Sequence, residues 1–279
     1  MIRGFLVFAL VCVGVVNACC EAWTTSRAGR APSRTRKPAT LQEMIDRSIA
    51  INKVTRIKWP NKTIKVNLEN VPKRHKRSIY AVMDDLNSVS CVRYTNSRGS
   101  WDIPQVTLVS SPRCSSYVGY QGHPSQLIRL SWRCFKRPGT LAHELLHATG
   151  FHHEQERPDR DDYVFVNLTN IQKDRKHNFA KIEGYYGFLM TMGLPYDYDS
   201  IMHYPSYSFA KDPSVPTITV KRRHNRPIGQ RKALSPSDIA RLNRLYNCCD
   251  HYLGDDIPGA VPYCYWLKSS YTQPVFKAN

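Results

Sequence analysis

The chemistry in this chain is concentrated in His143-Glu144-Leu145-Leu146-His147, followed by Gly150, His152 and His153. Residues i and i+4 of a helix share a face, so His143 and His147 can present their imidazoles to one point. Glu144 then stands beside a metal held there rather than on it. Gly150 tolerates positive φ and lets the chain turn sharply, which can return His153 to the same point. His152 is the alternative third ligand, at an offset that breaks the pattern. Three neutral imidazoles with an open fourth position suit one catalytic Zn2+ per chain, not a closed structural site. Zinc acidifies a bound water and polarises a carbonyl. Glu144 can take the water's proton and pass it to a leaving amine. The expected reaction is amide hydrolysis without a covalent intermediate. Five fixed positions in eleven make a chance match in one chain roughly one in ten thousand or rarer. Leu145, Leu146 and Phe151 make the segment apolar, so its histidines are expected to be partly buried and to need a partner.

Several elements must position these groups. Thr140–Thr149 reads as the helix, with Thr140 as N-cap and Gly150 just past its end. Thr63–Leu68 alternates as a half-buried strand. Ile79, Val82, Met83 and Leu86 recur at helical spacing. Val106–Val109 and Gln126–Trp132 read as two further strands. Ser235-Pro236-Ser237-Asp238 forms a capping box with proline at the first helical position. The helix it opens carries Ile239, Leu242, Leu245 and Tyr246 on one face. Residues 250–279 read as a tail with aromatics and proline but no period, and no internal repeat is present.

The chain has 279 residues, 42% of them hydrophobic, and a net charge of +18. That is enough apolar content for a core and excludes full disorder. The long apolar run lies at the N-terminus. Arg3, the stretch Phe5–Val16 and the small residues Val16 and Ala18 read as a signal peptide over 1–18, too short to span a bilayer. Nine cysteines are present. Removing Cys12 with the signal leaves an even set, which suits a secreted disulfide framework. Residues 19–49 read as a propeptide or disordered basic arm, with a trypsin-type site at Arg47, and 50–249 as the catalytic domain.

The sequence resembles the astacin family of metzincin zinc metalloendopeptidases. The likeness runs from the zinc segment through Glu154-Gln155-Glu156-Arg157-Pro158-Asp159-Arg160-Asp161-Asp162-Tyr163-Val164. It resumes at Tyr198-Asp199-Ser200-Ile201-Met202-His203-Tyr204, similar to the family's Met-turn, and again at Ile228-Gly229-Gln230-Arg231 and Leu234-Ser235. The resemblance implies an α+β fold with two subdomains flanking an active-site cleft. A twisted mixed sheet and the zinc helix would form the N-terminal half. It implies His143, His147 and His153 as zinc ligands and Glu144 as general base and acid. Met202 becomes the apolar floor, and Tyr204 a phenol that stabilises the oxyanion. Glu154 would contact a new N-terminus between Ser48 and Lys53. Arg231 would line the pocket after the scissile bond and favour acidic residues there. Gln126–Trp132 would be the edge strand along which a peptide lies. It also implies disulfides Cys91–Cys248 and Cys114–Cys134; Cys249 is the alternative to Cys248, and Cys264 is expected to take whichever is left, giving Cys249–Cys264 in the first case. The family's propeptide element Phe-x-Gly-Asp is missing here. Asp46, Glu43 or a thiolate of Cys19 or Cys20 could substitute for it, though none stands in the family's context.

Asn61-Lys62-Thr63 and Asn167-Leu168-Thr169 are acceptor sequons. The cluster Lys73-Arg74-His75-Lys76-Arg77 invites an anionic partner. The secretory signals and the lack of a nucleic-acid motif favour glycans or matrix over nucleic acid. The expectation is a secreted, extracellular, monomeric zymogen and glycoprotein without stable membrane insertion, acting on protein or peptide substrates. The alternative is a non-catalytic secreted glycan- or matrix-binding protein on a peptidase fold. A zinc hydrolase of non-peptide substrates is a third reading.

Overall fold

A computed structural model describes residues 57–97 and 103–270. The signal peptide, the basic arm, Arg47, the segment Ser48–Lys53 and Cys19 and Cys20 lie outside the described residues.

Alternation and helical periodicity build the N-terminal half. Strand β1 (Thr63–Asn67) leads into helix α1 (Lys73–Val89), which returns the chain to β2 (Arg93–Asn96), parallel to β1. Ile79, Val82, Met83 and Leu86 are all buried on the inner face of α1. Strand β3 (Gln105–Ser110) lies parallel on the other side of β1. The two-residue β4 (Ser115–Ser116) and then β5 (Ser125–Leu130) follow, with β5 parallel to β3. β4 runs antiparallel to β5 at the margin, giving the order β2-β1-β3-β5-β4. The expected edge strand at Gln126–Trp132 is therefore corrected. β5 is second from the edge, β4 covers its Ile128–Arg129 register, and the chain enters helix α2 (Trp132–Phe135) after Leu130.

Helix α3 (Pro138–Thr149) carries the first two histidines. It begins at Pro138 with Arg137 as N-cap, two residues before the expected Thr140 start. Proline suits that first position because its missing N–H would have had no helical partner. The helix passes against backbone: a Cβ on Gly139 would lie 2.1 Å from the Arg231 carbonyl oxygen. At the other end Gly150 takes φ 116° and its N–H returns to the last turn. Trp59 Nε1 donates to the Ala148 carbonyl (2.7 Å) and the Tyr246 hydroxyl to that of Thr149 (3.0 Å), so two otherwise unpaired carbonyls are satisfied.

The C-terminal half is less regular. β6 (Val164–Val166) and β7 (Ile218–Val220) form an antiparallel pair. Its helices are α4 (Gly184–Thr191), α5 (Pro236–Leu245) and α6 (Tyr263–Ser270). At α5 Ser235 and Asp238 form the capping box reciprocally. One apolar cluster joins the sheet to α1, α3, Met202 and α5. A second gathers Val164, Ile171, Phe179, Tyr196, Ile218 and Ile228, with Tyr204 packed against it. The architecture is α+β.

Residues 250–270 are not a detached tail. Tyr263, Trp266 and Leu267 are buried in the first cluster. Buried Arg244 of α5 donates to the carbonyls of Leu253, Val261 and Met192 and pairs with Asp255. At Gly193 (φ 70°) a Cβ would sit 2.6 Å from Trp266, so the loop and α6 meet at a position that excludes side chains.

The bridges Cys91–Cys248 and Cys114–Cys134 are closed. Cys249 and Cys264 are each disulfide-bonded as well. The Cys249–Cys264 bridge implied by the resemblance is not among those closed between described residues.

Candidate metal centre

The donor atoms of His143, His147 and His153 lie within 4.8 Å of one another, and among the described residues this is the group that could hold a metal ion. His153, not its neighbour His152, completes the set. Each ring is oriented by its other nitrogen. His143 Nδ1 donates to the Ile201 carbonyl (2.8 Å) and His147 Nδ1 to the Phe151 carbonyl (2.7 Å). A carbonyl can only accept, so both rings carry their proton on Nδ1 and turn a bare Nε2 inward. His153 Nδ1 faces Glu156 Oε2 (3.1 Å), which also accepts the His153 amide (2.8 Å). The Nε2 atoms of His143 and His153 each approach that of His147 to 3.1 Å. Three converging lone pairs without a proton between them repel unless a cation neutralises them. This donor set fits Zn2+.

Electrostatics keep the imidazoles neutral. Burial holds His143 and His147 well below the usual histidine range. Burial, then the charges of Arg231 and His152, brings His153 down to about 3. Glu144 is buried, and its Oε2 has no hydrogen-bond partner. Burial raises its carboxyl to about 7 against the pull of Arg231.

The turn Ser200–His203 meets the site through Ile201, whose carbonyl accepts from His143 Nδ1. Met202 is fully buried and its carbonyl accepts the Glu154 amide (3.2 Å). Tyr204 follows, its ring 4.3 Å from that of His153 between centroids, and burial raises its phenol above the usual value. Its backbone is held by Gln155 Oε1, which accepts its amide (3.2 Å), and by His203 Nδ1, which donates to its carbonyl (2.8 Å). The Tyr196 hydroxyl donates to His203 Nε2 (2.7 Å). Arg231 donates to the carbonyls of His203 and Gln230, and its charge bears on Glu144 and Tyr204.

Glu154 is fully buried between Arg157 (3.1 Å) and Arg241 (2.6 Å) and also accepts the Asp197 amide (2.9 Å). Burial alone would raise its carboxyl, but Arg241 and Arg157 outweigh it and bring it down to about 2. The N-terminus expected to meet Glu154 lies outside the described residues. Sequence reasoning missed Glu156, Gln155, His203 and Tyr196. Asp238 reads from the sequence only as part of a cap, yet it accepts from Ser200 Oγ (2.6 Å) and the Ile201 amide (2.8 Å). Asn61 is exposed. Asn167 Oδ1 accepts from Thr169 Oγ1 (2.6 Å) in a tight turn.

Two histidines on a helix that ends at a left-handed glycine, a third just beyond that glycine, and a buried methionine turn bonded to the first of them form the site of a zinc-peptidase fold. Residues 51–247 match the model of the Astacin peptidase family, and the chain belongs to that family. It is 39% identical over 199 residues to Blastula protease 10 of Paracentrotus lividus, covering 69% of this chain but 33% of that protein. It is 36% identical over 199 residues to the Low choriolytic enzyme of Oryzias latipes, covering 68% of this chain and 69% of that one. Among solved structures, High choriolytic enzyme 1, a hatching enzyme zinc-protease from Oryzias latipes, matches with a TM-score of 0.60 and 34% identity. It covers 68% of this chain and 93% of that one. The matched part of the chain thus spans about a third of the length of Blastula protease 10.

Proposed function

We propose that this chain is a secreted zinc-dependent endopeptidase that hydrolyses internal peptide bonds. The observation that carries the reading is the pairing of three inward Nε2 atoms with the buried, unpartnered Oε2 of Glu144. Zn2+, one per chain, would be held by His143, His147 and His153, and when bound would acidify water and polarise the scissile carbonyl. Glu144 receives the proton of the attacking water and delivers it to the leaving amine. Its burial raises its affinity for the proton it is to receive. The Tyr204 phenol donates a hydrogen bond to the developing oxyanion. Arg231, whose charge already bears on Glu144, selects an acidic residue after the scissile bond. The outer margin of β4, the edge of the sheet among the described residues, pairs with the extended substrate backbone. Hydrophobic Met202 keeps the floor dry.

Secretion is supported by the N-terminal signal pattern and by the closed disulfides, which persist in oxidising compartments. No helix among the described residues is long and apolar enough to cross a membrane. Residues 19–49 act as the propeptide of a zymogen, and Asn61 and Asn167 carry glycans.

The test is a diverse peptide library incubated with zinc-loaded protein cleaved near Arg47. Glu144→Ala and a chelator serve as controls. Cleavage abolished by both, with Asp or Glu enriched after the cut, supports the reading. Folded, zinc-loaded, trimmed protein that cuts nothing would favour the non-catalytic binding role.

A further inference from the structure

We infer that the first turn of α1 and the short helix α2 form one composite docking surface for a sulfated glycosaminoglycan chain. The two segments are remote in sequence and meet through a ring stack. The buried His75 imidazole lies 4.7 Å from the Phe135 ring at 12°. Arg74 Nε donates to His75 Nε2 (3.1 Å). After burial, the charges of Arg74 and Lys136 both lower the His75 pKa, so cations from both α1 and the end of α2 bear on the same ring.

The two stacked segments carry Lys73, Arg74 and Arg77 on one side and Arg133, Lys136 and Arg137 on the other, all exposed. Among the described residues none of the six is in a salt bridge. The first turn of α1 holds no acidic residue. Like charges collected without carboxylates repel one another, and a polyanion relieves that repulsion.

The patch also has an apolar centre. Trp132 is 59% exposed, the most exposed of the large hydrophobic side chains described. The Arg133 guanidinium lies 5.4 Å and the Lys136 ammonium 5.0 Å from its ring centroid. These contacts fix two cations beside a flat apolar surface that can cover the C–H face of a pyranose. Sulfates then meet the flanking cations. The preference for a glycan over a nucleic acid rests on the secretory reading above. The surface itself does not depend on catalysis, so its test reads binding alone.

The full chain is titrated with a heparin dodecasaccharide by calorimetry at about 0.15 M salt. Arg133→Ala/Lys136→Ala and Lys73→Ala/Arg74→Ala should each weaken binding about tenfold and flatten the salt dependence, as lost ionic contacts do. Trp132→Ala should weaken it about fivefold with the salt slope unchanged. Lys173→Ala/Lys176→Ala, which removes the same charge from exposed positions in the other half, should stay within about twofold. Equal losses in that control would reduce the binding to net charge and overturn the proposal. So would tighter binding of oligothymidylate or of phosphatidylserine vesicles than of heparin. Peptide cleavage measured on the same variants should be unchanged, which separates failure of this surface from failure of the peptidase reading.

Discussion

His143 Nδ1 donates to the Ile201 carbonyl at 2.8 Å, and the amide of that same Ile201 donates to Asp238 at 2.8 Å. A metal-facing imidazole is thus oriented by a turn that is itself clamped by the N-terminus of α5. The Asp238 carboxylate also accepts from Ser200 Oγ and from the amide of Ser235, its partner in the capping box.

Asp238→Asn keeps the size of the side chain but replaces one accepting oxygen with a donor, so either Ser200 or Ile201 loses its anchor. Outer partners of metal ligands commonly govern affinity by about 10–100-fold. Zinc affinity should fall about tenfold in chelator competition, with the far-ultraviolet circular dichroism retained. A variant that melts earlier but binds zinc as tightly as the parent would make Asp238 a stability residue only.

Tyr204→Phe separates transition-state stabilisation from binding. Removing one oxyanion donor typically costs about 10²–10³ in kcat. The ring contact with His153 is preserved by phenylalanine, so zinc content should not change. Steady-state hydrolysis of a peptide should show the loss in kcat with KM within about threefold. A change confined to KM would assign the phenol to substrate binding instead.

What can be read from the sequence is local. His143 and His147 lie within one helix and His153 just beyond its terminating glycine, so their convergence follows from backbone geometry over a few residues. The Ser235–Asp238 cap is legible for the same reason. The partners of Glu154 are not: Arg241 lies 87 residues away, and no period links them. Strand β4 has two residues, too few to show alternation. Helix α6 is short and mixes aromatic with polar residues, so its buried face is indistinct. The start of α3 differs from the expected one because Thr140 has the chemistry of a cap, while Pro138 holds the stronger signal.

Asp197 gives a pH dependence of stability. Burial, then the charges of Asp238 and Glu154, raise its carboxyl above the ordinary 3.8, against the Ser235 hydrogen bond and Arg241. Below that value Asp197 is protonated in both folded and unfolded chains and contributes no dependence. As pH rises towards neutrality the unfolded chain releases the proton first, so stability falls across this window. Glu154 has the opposite sign: its carboxyl is lowered, and its contribution is lost only in strong acid. Asp197→Asn removes the first effect alone. Relative to the parent it should gain on the order of 1–2 kcal/mol between about pH 4.5 and 7.5. Paired denaturant titrations at both values check this, and a constant difference between the two proteins would refute it.

Trp266→Ala tests whether the C-terminal segment belongs to the catalytic body. Trp266 is 5% exposed, shares the main apolar cluster with Tyr263 and Leu267, and presses on Gly193. Truncating a buried tryptophan to alanine costs about 3–5 kcal/mol. The adjoining loop runs directly into Pro195, whose carbonyl accepts from Arg157, and Arg157 pairs with Glu154 beside the third histidine. The loss should therefore appear in global unfolding and also as weaker zinc retention on warming. Thermal melts with and without added zinc read both. A melt indistinguishable from the parent would mean that α6 packs without stabilising the domain.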